Sequence, residues 1–243
     1  MVPEKQINEF VSKMRSAAGN NLRSIVLYGS AATGEFHPDF SNVNLLCVLH
    51  ETSFATLSAI APVVKWWTDK KHRPPLVLTG DELNRSTDVF SIELLDMQQR
   101  HRVLFGDDLL TGLKIPMHFH RAQLEYELRE KTILLRQQIL ELSGRERELW
   151  DLLLRSLPAF ATLFRHTLIA LGVAAPATKR EAVQALSTHI QFDSSPFLQL
   201  LDIREHKAER KQFELKDLCA RYLGTVQQIT NAVDTMLDSR ASA

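Results

Sequence analysis

The stretch SIVLYGSAATGEFHPDFSNVNLLCVL, Ser24 to Leu49, decides how this chain is understood. It runs as a β-rich segment (Ile25 to Tyr28), a glycine-serine turn at Gly29-Ser30, a short helix, and a second strand with the apolar body Val43 to Leu49. That second strand opens on Asn42 and Asn44, and residues i and i+2 of a strand share a face. Two polar side chains at the head of an otherwise apolar strand need a reason. A strand ending in Gly-Ser suits phosphate: glycine lets the backbone come close, while the following amides and the serine hydroxyl donate to it. Two carboxylates opposite, in the positions of Asn42 and Asn44, would complete a two-metal phosphoryl-transfer site.

Outward from this stretch, the first half alternates short apolar runs with helical patterns. Ile7, Phe10, Val11 and Met14 predict an opening amphipathic helix, and Phe54 to Trp67 a second helix. Leu76 to Leu78, Val89 to Met97 and Val103 to Phe105 are further strand candidates, so a mixed α/β sheet is expected. The character changes near Gly106 to Phe119, which places a domain boundary there: 1–115 with the sheet, 116–243 as a helical bundle. In the second half, Leu124, Leu128, Leu135, Ile139 and Leu142 form one stripe, and Leu149 to Leu171 a second that closes on Gly172. Pro158 is expected to kink or split that second helix. Thr178-Lys-Arg-Glu181 is a capping box, Ser195-Pro196 looks like a cap with proline at the first helical position, and Leu215 to Met236 is a long seam. The tail from Asp238 to Ala243 is expected to fray. The fold class is therefore α+β, a mixed-sheet domain followed by an all-α bundle.

Whole-chain properties narrow the function classes. Of 243 residues, 29 are basic and 29 acidic, so no global field draws the chain to nucleic acid or to a membrane surface. No apolar run is long enough for a membrane span, and the start MVPEKQINEF lacks the apolar core of a secretory signal. The expected location is the cytoplasm. Cys47 lies inside an apolar strand and is expected as a buried reduced thiol, far in sequence from Cys219.

In LYGS, eleven residues, then Asn42-Val43-Asn44, the chain resembles the DNA polymerase β-like nucleotidyltransferase superfamily, which includes the minimal and the aminoglycoside nucleotidyltransferases. The family pattern is Gly-Ser, a spacer, then Asp-x-Asp on the next strand, with a third carboxylate on a later one. Gly29 and Ser30 match it. Asn42 and Asn44 fall at the two aspartate positions and depart from it. The resemblance covers roughly residues 20 to 106, and implies a helical domain after the nucleotidyltransferase domain. It also implies a nucleoside triphosphate with Mg2+ as the cofactor pair.

The third acid is sought in STDVFSIELLDMQQRHRVLFG, where Glu93, in the middle of an expected strand, is the first candidate. Asp88 and Asp96 are alternates, and a pairing of Glu93 with Arg100 or Arg102 is the structural explanation. Asp39, in the loop before Asn42, is a further substitute ligand. The basic segments Lys70 to Pro75 and Arg100 to Arg102 are candidates for steering a triphosphate. His118 and His120 have no third ligand at metal spacing and are expected as core or surface residues.

Magnesium prefers anionic oxygen, and an asparagine offers one neutral carbonyl. With both acids replaced, transfer should suffer severely, whereas amide NH2 groups can still donate to a triphosphate. The leading expectation is a pseudo-nucleotidyltransferase that binds a nucleotide weakly, or a partner. The first alternative is an active enzyme using substitute acids. The second is a structural protein of toxin–antitoxin type, acting as a homo-oligomer or with a protein partner.

Overall fold

In the computed structural model, which describes residues 2–241 and side chains as far as Thr235, two compact units divide the chain, Met1–Met117 and His118–Ala243. Apolar residues three and four apart, Ile7, Phe10 and Met14, bury one face of the opening helix α1 (Glu4–Ala18). Four strands follow in the order β3-β2-β1-β4: β1 (Leu22–Tyr28), β2 (Asn44–Leu49), β3 (Leu76–Thr79) and β4 (His101–Gly106). The strand β1 is central and antiparallel to both β2 and β4, while β2 and β3 run parallel. A parallel pair needs a crossover, and helix α2 (Phe54–Asp69), capped by the Ser53 side chain, supplies it.

Strand alternation assigns the two faces. Ile25, Leu27, Leu45, Cys47 and Leu49 point to one core, shared with α1 and with Ile60, Val63 and Trp67 of α2. Val26, Leu46 and Val48 point to the other, with Leu83 of α3 (Gly80–Arg85), Leu94 and Met97 of α4 (Ser91–Gln99), and Leu110 and Leu113. Thr79 and Glu82 close a reciprocal capping box at the start of α3.

Three expectations need correction. The strand expected over Val89 to Met97 is the helix α4: Leu94 and Met97 are buried three residues apart, while Val89 and Phe90 are 60% and 51% exposed in the turn before it. The alternation of VFSIEL fitted a strand, but a short segment carries both periods and burial decided for the helix. Glu93 therefore stands in the first turn of a helix, not in mid-strand. The short helix after Gly29-Ser30 is a single 3-10 turn, Gly29–Ala31, followed by irregular turns. The second strand opens on Asn44, so Asn42 lies outside it.

The second unit contains α5 (His120–Glu141), α6 (Glu146–Ala170), α7 (Lys179–His189), α8 (Ser195–Arg204) and α9 (Leu215–Ala241). Leu124, Leu128 and Leu135 of α5 are buried, as are Leu153, Leu157, Phe160, Phe164 and Leu168 of α6. Pro158 does not split α6, which runs unbroken through it. The helix ends where expected: Gly172, at φ +81°, gives its N–H to Ile169, and the Val173 N–H reaches Leu168. The Thr178–Glu181 capping box forms, with Thr178 N–H to Glu181 at 3.0 Å and Glu181 N–H to Thr178 at 3.2 Å. The seam of α9 is buried from Leu215 to Val233; the side chain of Met236 and the tail beyond residue 241 lie outside what is described. Among the described residues, no helix is long and apolar enough to cross a membrane.

Candidate functional site

The site is built at the end of the sheet where β1 stops and β2 starts. Tyr28 pairs with Asn44 on one side and with His101 on the other. The next residue, Gly29, turns the chain with φ +75° and gives its N–H to the carbonyl of Arg100 at 3.0 Å. Its missing side chain makes room: a Cβ there would stand 3.2 Å from the Asn44 amide nitrogen. The amide end of Asn44 is thus turned onto the Gly-Ser turn. Ser30 is half-buried within that turn.

The loop from Ala32 to Val43 leaves and re-enters this site. Arg100 holds it from below, its guanidinium 3.1 Å from Glu35, with both side chains largely buried at 10% and 21% exposure. The loop is braced internally by the His37 N–H to Ser41 at 2.9 Å and the Asp39 N–H to His37 Nδ1 at 3.2 Å. Val43 is buried in the α1–α2 core, so it anchors the strand entry, with exposed Asn42 before it and half-buried Asn44 after it. The basic run Arg100 to Arg102 has structural partners: Arg102 grips both oxygens of Glu4 at 2.8 Å, and His101 bonds Asp108 at 3.2 Å.

Two residues that spacing alone did not single out complete the electrostatics. The Tyr28 phenol shares the sheet face of Asn44 and α4, and burial raises its pKa. The Arg73 guanidinium lowers it and the Glu93 carboxylate raises it, so both charges stand near this hydroxyl. Arg73 belongs to the basic segment Lys70 to Pro75, and its position is fixed by the Trp67 indole, which donates to the Arg73 carbonyl at 2.9 Å. His72 next to it stacks on Trp67 at 3.9 Å and bonds Gln6 at 2.6 Å. Tyr28 carried a signal in the sequence, as the residue before Gly29; Arg73 was one basic residue among several.

The donor set does not fit a pair of divalent ions. Asn42 and Asn44 are neutral, and the Asn44 nitrogen faces the turn. Among the described residues, neither Glu93 nor Asp88 belongs to a group of three carboxylate, imidazole or thiol ligands. One acid stands out: Asp88 Oδ1 is buried and accepts no hydrogen bond. Asp39 is exposed in the loop, and Asp96 lies further along α4.

No protein-family model matches this sequence, and a comparison with curated proteins finds no match either. Among solved structures, the chain is similar to the spectinomycin adenyltransferase AAD(9) from Enterococcus faecialis, solved with ATP and spectinomycin. The TM-score is 0.59 at 18% identity, over 95% of this chain and 99% of that one. Weaker likenesses are to a nucleotidyltransferase-like protein from Exiguobacterium sibiricum 255-15, with TM-score 0.36, 12% identity, and 93% and 75% of the two chains covered. A toxin–antitoxin structure with AMP-PNP gives TM-score 0.31, 14% identity, and 43% and 81% coverage. The chain therefore shares the fold of that adenyltransferase, an α+β sheet domain followed by helices.

Proposed function

We propose that this chain is a pseudo-nucleotidyltransferase, which takes a nucleoside triphosphate at the Gly29-Ser30 turn and transfers its nucleotidyl group slowly or not at all. On this reading residues 1–115 form the nucleotide-binding domain and 116–243 a helical domain. The fold likeness to an adenyltransferase solved with ATP supports the ligand class. The observation that carries the loss of chemistry is the Asn44 amide, whose nitrogen lies against Gly29 where the resemblance in sequence pattern expects an aspartate. A neutral amide contributes no charge to a hard cation, and no anionic oxygen to draw a proton from an attacking hydroxyl. The same nitrogen is a hydrogen-bond donor that an anionic phosphate accepts from.

One observation favours a second reading, an active transferase with substitute acids. Asp88 Oδ1 is buried without a partner, and a buried orphan oxygen is what a cation would satisfy. Both readings are separated by incubating the protein with each of the four nucleoside triphosphates and magnesium, and measuring pyrophosphate release. The pseudoenzyme reading expects release no faster than from the Ser30→Ala and Asp88→Asn variants, together with triphosphate binding by the unmodified protein that Ser30→Ala weakens. Release well above both variants overturns it in favour of the substitute acids.

A further inference from the structure

Resting on that reading, one consequence concerns the charge at the site. A triphosphate needs positive countercharge, and carboxylates in place of Asn42 and Asn44 would recruit it as divalent metal. Here the recruiting acids are amides, yet a cation of the chain itself stands at the same end of the sheet. The strand β3 enters beside β2 with Leu76 opposite Leu46 and the two strands parallel. The segment that feeds β3, Arg73 to Pro75, therefore passes the level of Asn44. Its backbone is fixed there by the Trp67 indole bond to the Arg73 carbonyl. Trp67 is itself fully buried, wedged between Phe10 and His72. The Arg73 side chain is exposed, and among the described residues it forms no ion pair. Arg100 and Arg102, by contrast, are bound to Glu35 and Glu4.

We propose that the Gly29–Asn44 end of the sheet takes a nucleoside triphosphate free of divalent metal, with the Arg73 guanidinium supplying the positive charge that a metal ion would otherwise bring. A guanidinium pairs with two phosphate oxygens at once and cannot lose its proton, so its countercharge is permanent and needs no acid to hold it. The electrostatic coupling of Arg73 to the Tyr28 hydroxyl is consistent with this placement. Magnesium becomes a competitor: it neutralises the phosphate oxygens that Arg73 and the Asn44 amide would otherwise engage.

The test is a calorimetric titration with ATP, and with inorganic tripolyphosphate as a base-free probe, in EDTA and in excess magnesium. The unmodified protein is expected to bind ATP at least as tightly in EDTA as in magnesium. Arg73→Gln should weaken binding in EDTA tenfold or more, Arg73→Lys should recover part of the loss, and thermal melts should confirm that both variants are folded. Asn42→Asp with Asn44→Asp should reverse the preference toward magnesium. Binding that requires magnesium, or Arg73→Gln binding like the unmodified protein in EDTA, overturns the metal-free site while leaving nucleotide binding intact. No ATP binding in either buffer overturns the nucleotide reading, and this inference with it.

Discussion

The Asn44 amide nitrogen stands 3.2 Å from the point where a Cβ on Gly29 would lie, a tight contact. At φ +75°, an L-residue is also strained, so Gly29→Ala meets two penalties. The left-handed backbone alone costs about 1–2 kcal/mol. The methyl group also pushes Asn44 away from the turn. We expect the unfolding free energy from urea denaturation to fall by an amount in this range, and ATP binding to be lost beyond what the stability change explains.

Gly106→Ala should be worse, for a reason unrelated to the site. A Cβ there would lie 2.0 Å from the Arg23 carbonyl oxygen, a backbone atom that no rotamer change can move, and φ is again positive at +74°. Left-handed strain and overpacking together predict a loss of about 3–5 kcal/mol. The comparison of the two alanine variants by urea denaturation checks this order; equal midpoints contradict it.

Glu35→Gln keeps the shape of the loop anchor and removes its charge. The Arg100–Glu35 pair is mostly shielded from water, so losing it should cost about 1–2 kcal/mol locally, less than a fully buried pair. The loop contains two aromatic residues, Phe36 and Phe40. Chymotrypsin should cut after them about tenfold faster in the variant, if opening precedes cleavage. An unchanged rate means that Arg100 does not restrain the loop.

In the second unit, the buried rings of His120 and His166 bond at 2.9 Å, and His120 Nδ1 has no partner. Burial, then His166, pushes the pKa of His120 down from 6.5 to about 4. The unfolded chain takes up this proton below about 6.5 while the folded chain refuses it until about 4. Stability from this group is thus complete above the higher value and drains away as pH falls through the window, by up to roughly 2–3 kcal/mol. His120→Gln, which can still donate to His166, should flatten the decline in melting temperature between pH 7 and pH 4.5.

Much of the sheet unit was legible. Gly29-Ser30, the apolar body of β2, β3 after its two prolines and β4 all carried local signals that the fold obeyed. What failed were segments where two periods coincide. In VFSIELL, burial against Val26 and Val48 chose the helix, a decision made by partners distant in sequence. The approach of Asn44 to Gly29 follows from cross-strand register, so the spacing only hinted at it. Arg73 was invisible as an individual, because nothing local separates it from Lys70 and Lys71. Only the Trp67 bond and the parallel entry of β3 set it apart.

The strand order carries a consequence for the order of assembly. The pairing of β1 with β2 closes over the stretch from Gly29 to Val43, and α2 brings β3 in next, whereas β4 must return across most of the first unit to reach β1. Long closures are entropically expensive and come late in folding. Yet β4 begins at the residue after Arg100, whose carbonyl receives the Gly29 N–H and whose guanidinium ties down Glu35. A nascent chain that has paired its first three strands therefore has its phosphate turn laid out but not locked. The turn acquires its final shape only when this last edge docks, so amide exchange at Gly29 would report the arrival of β4 rather than the formation of the strand it terminates.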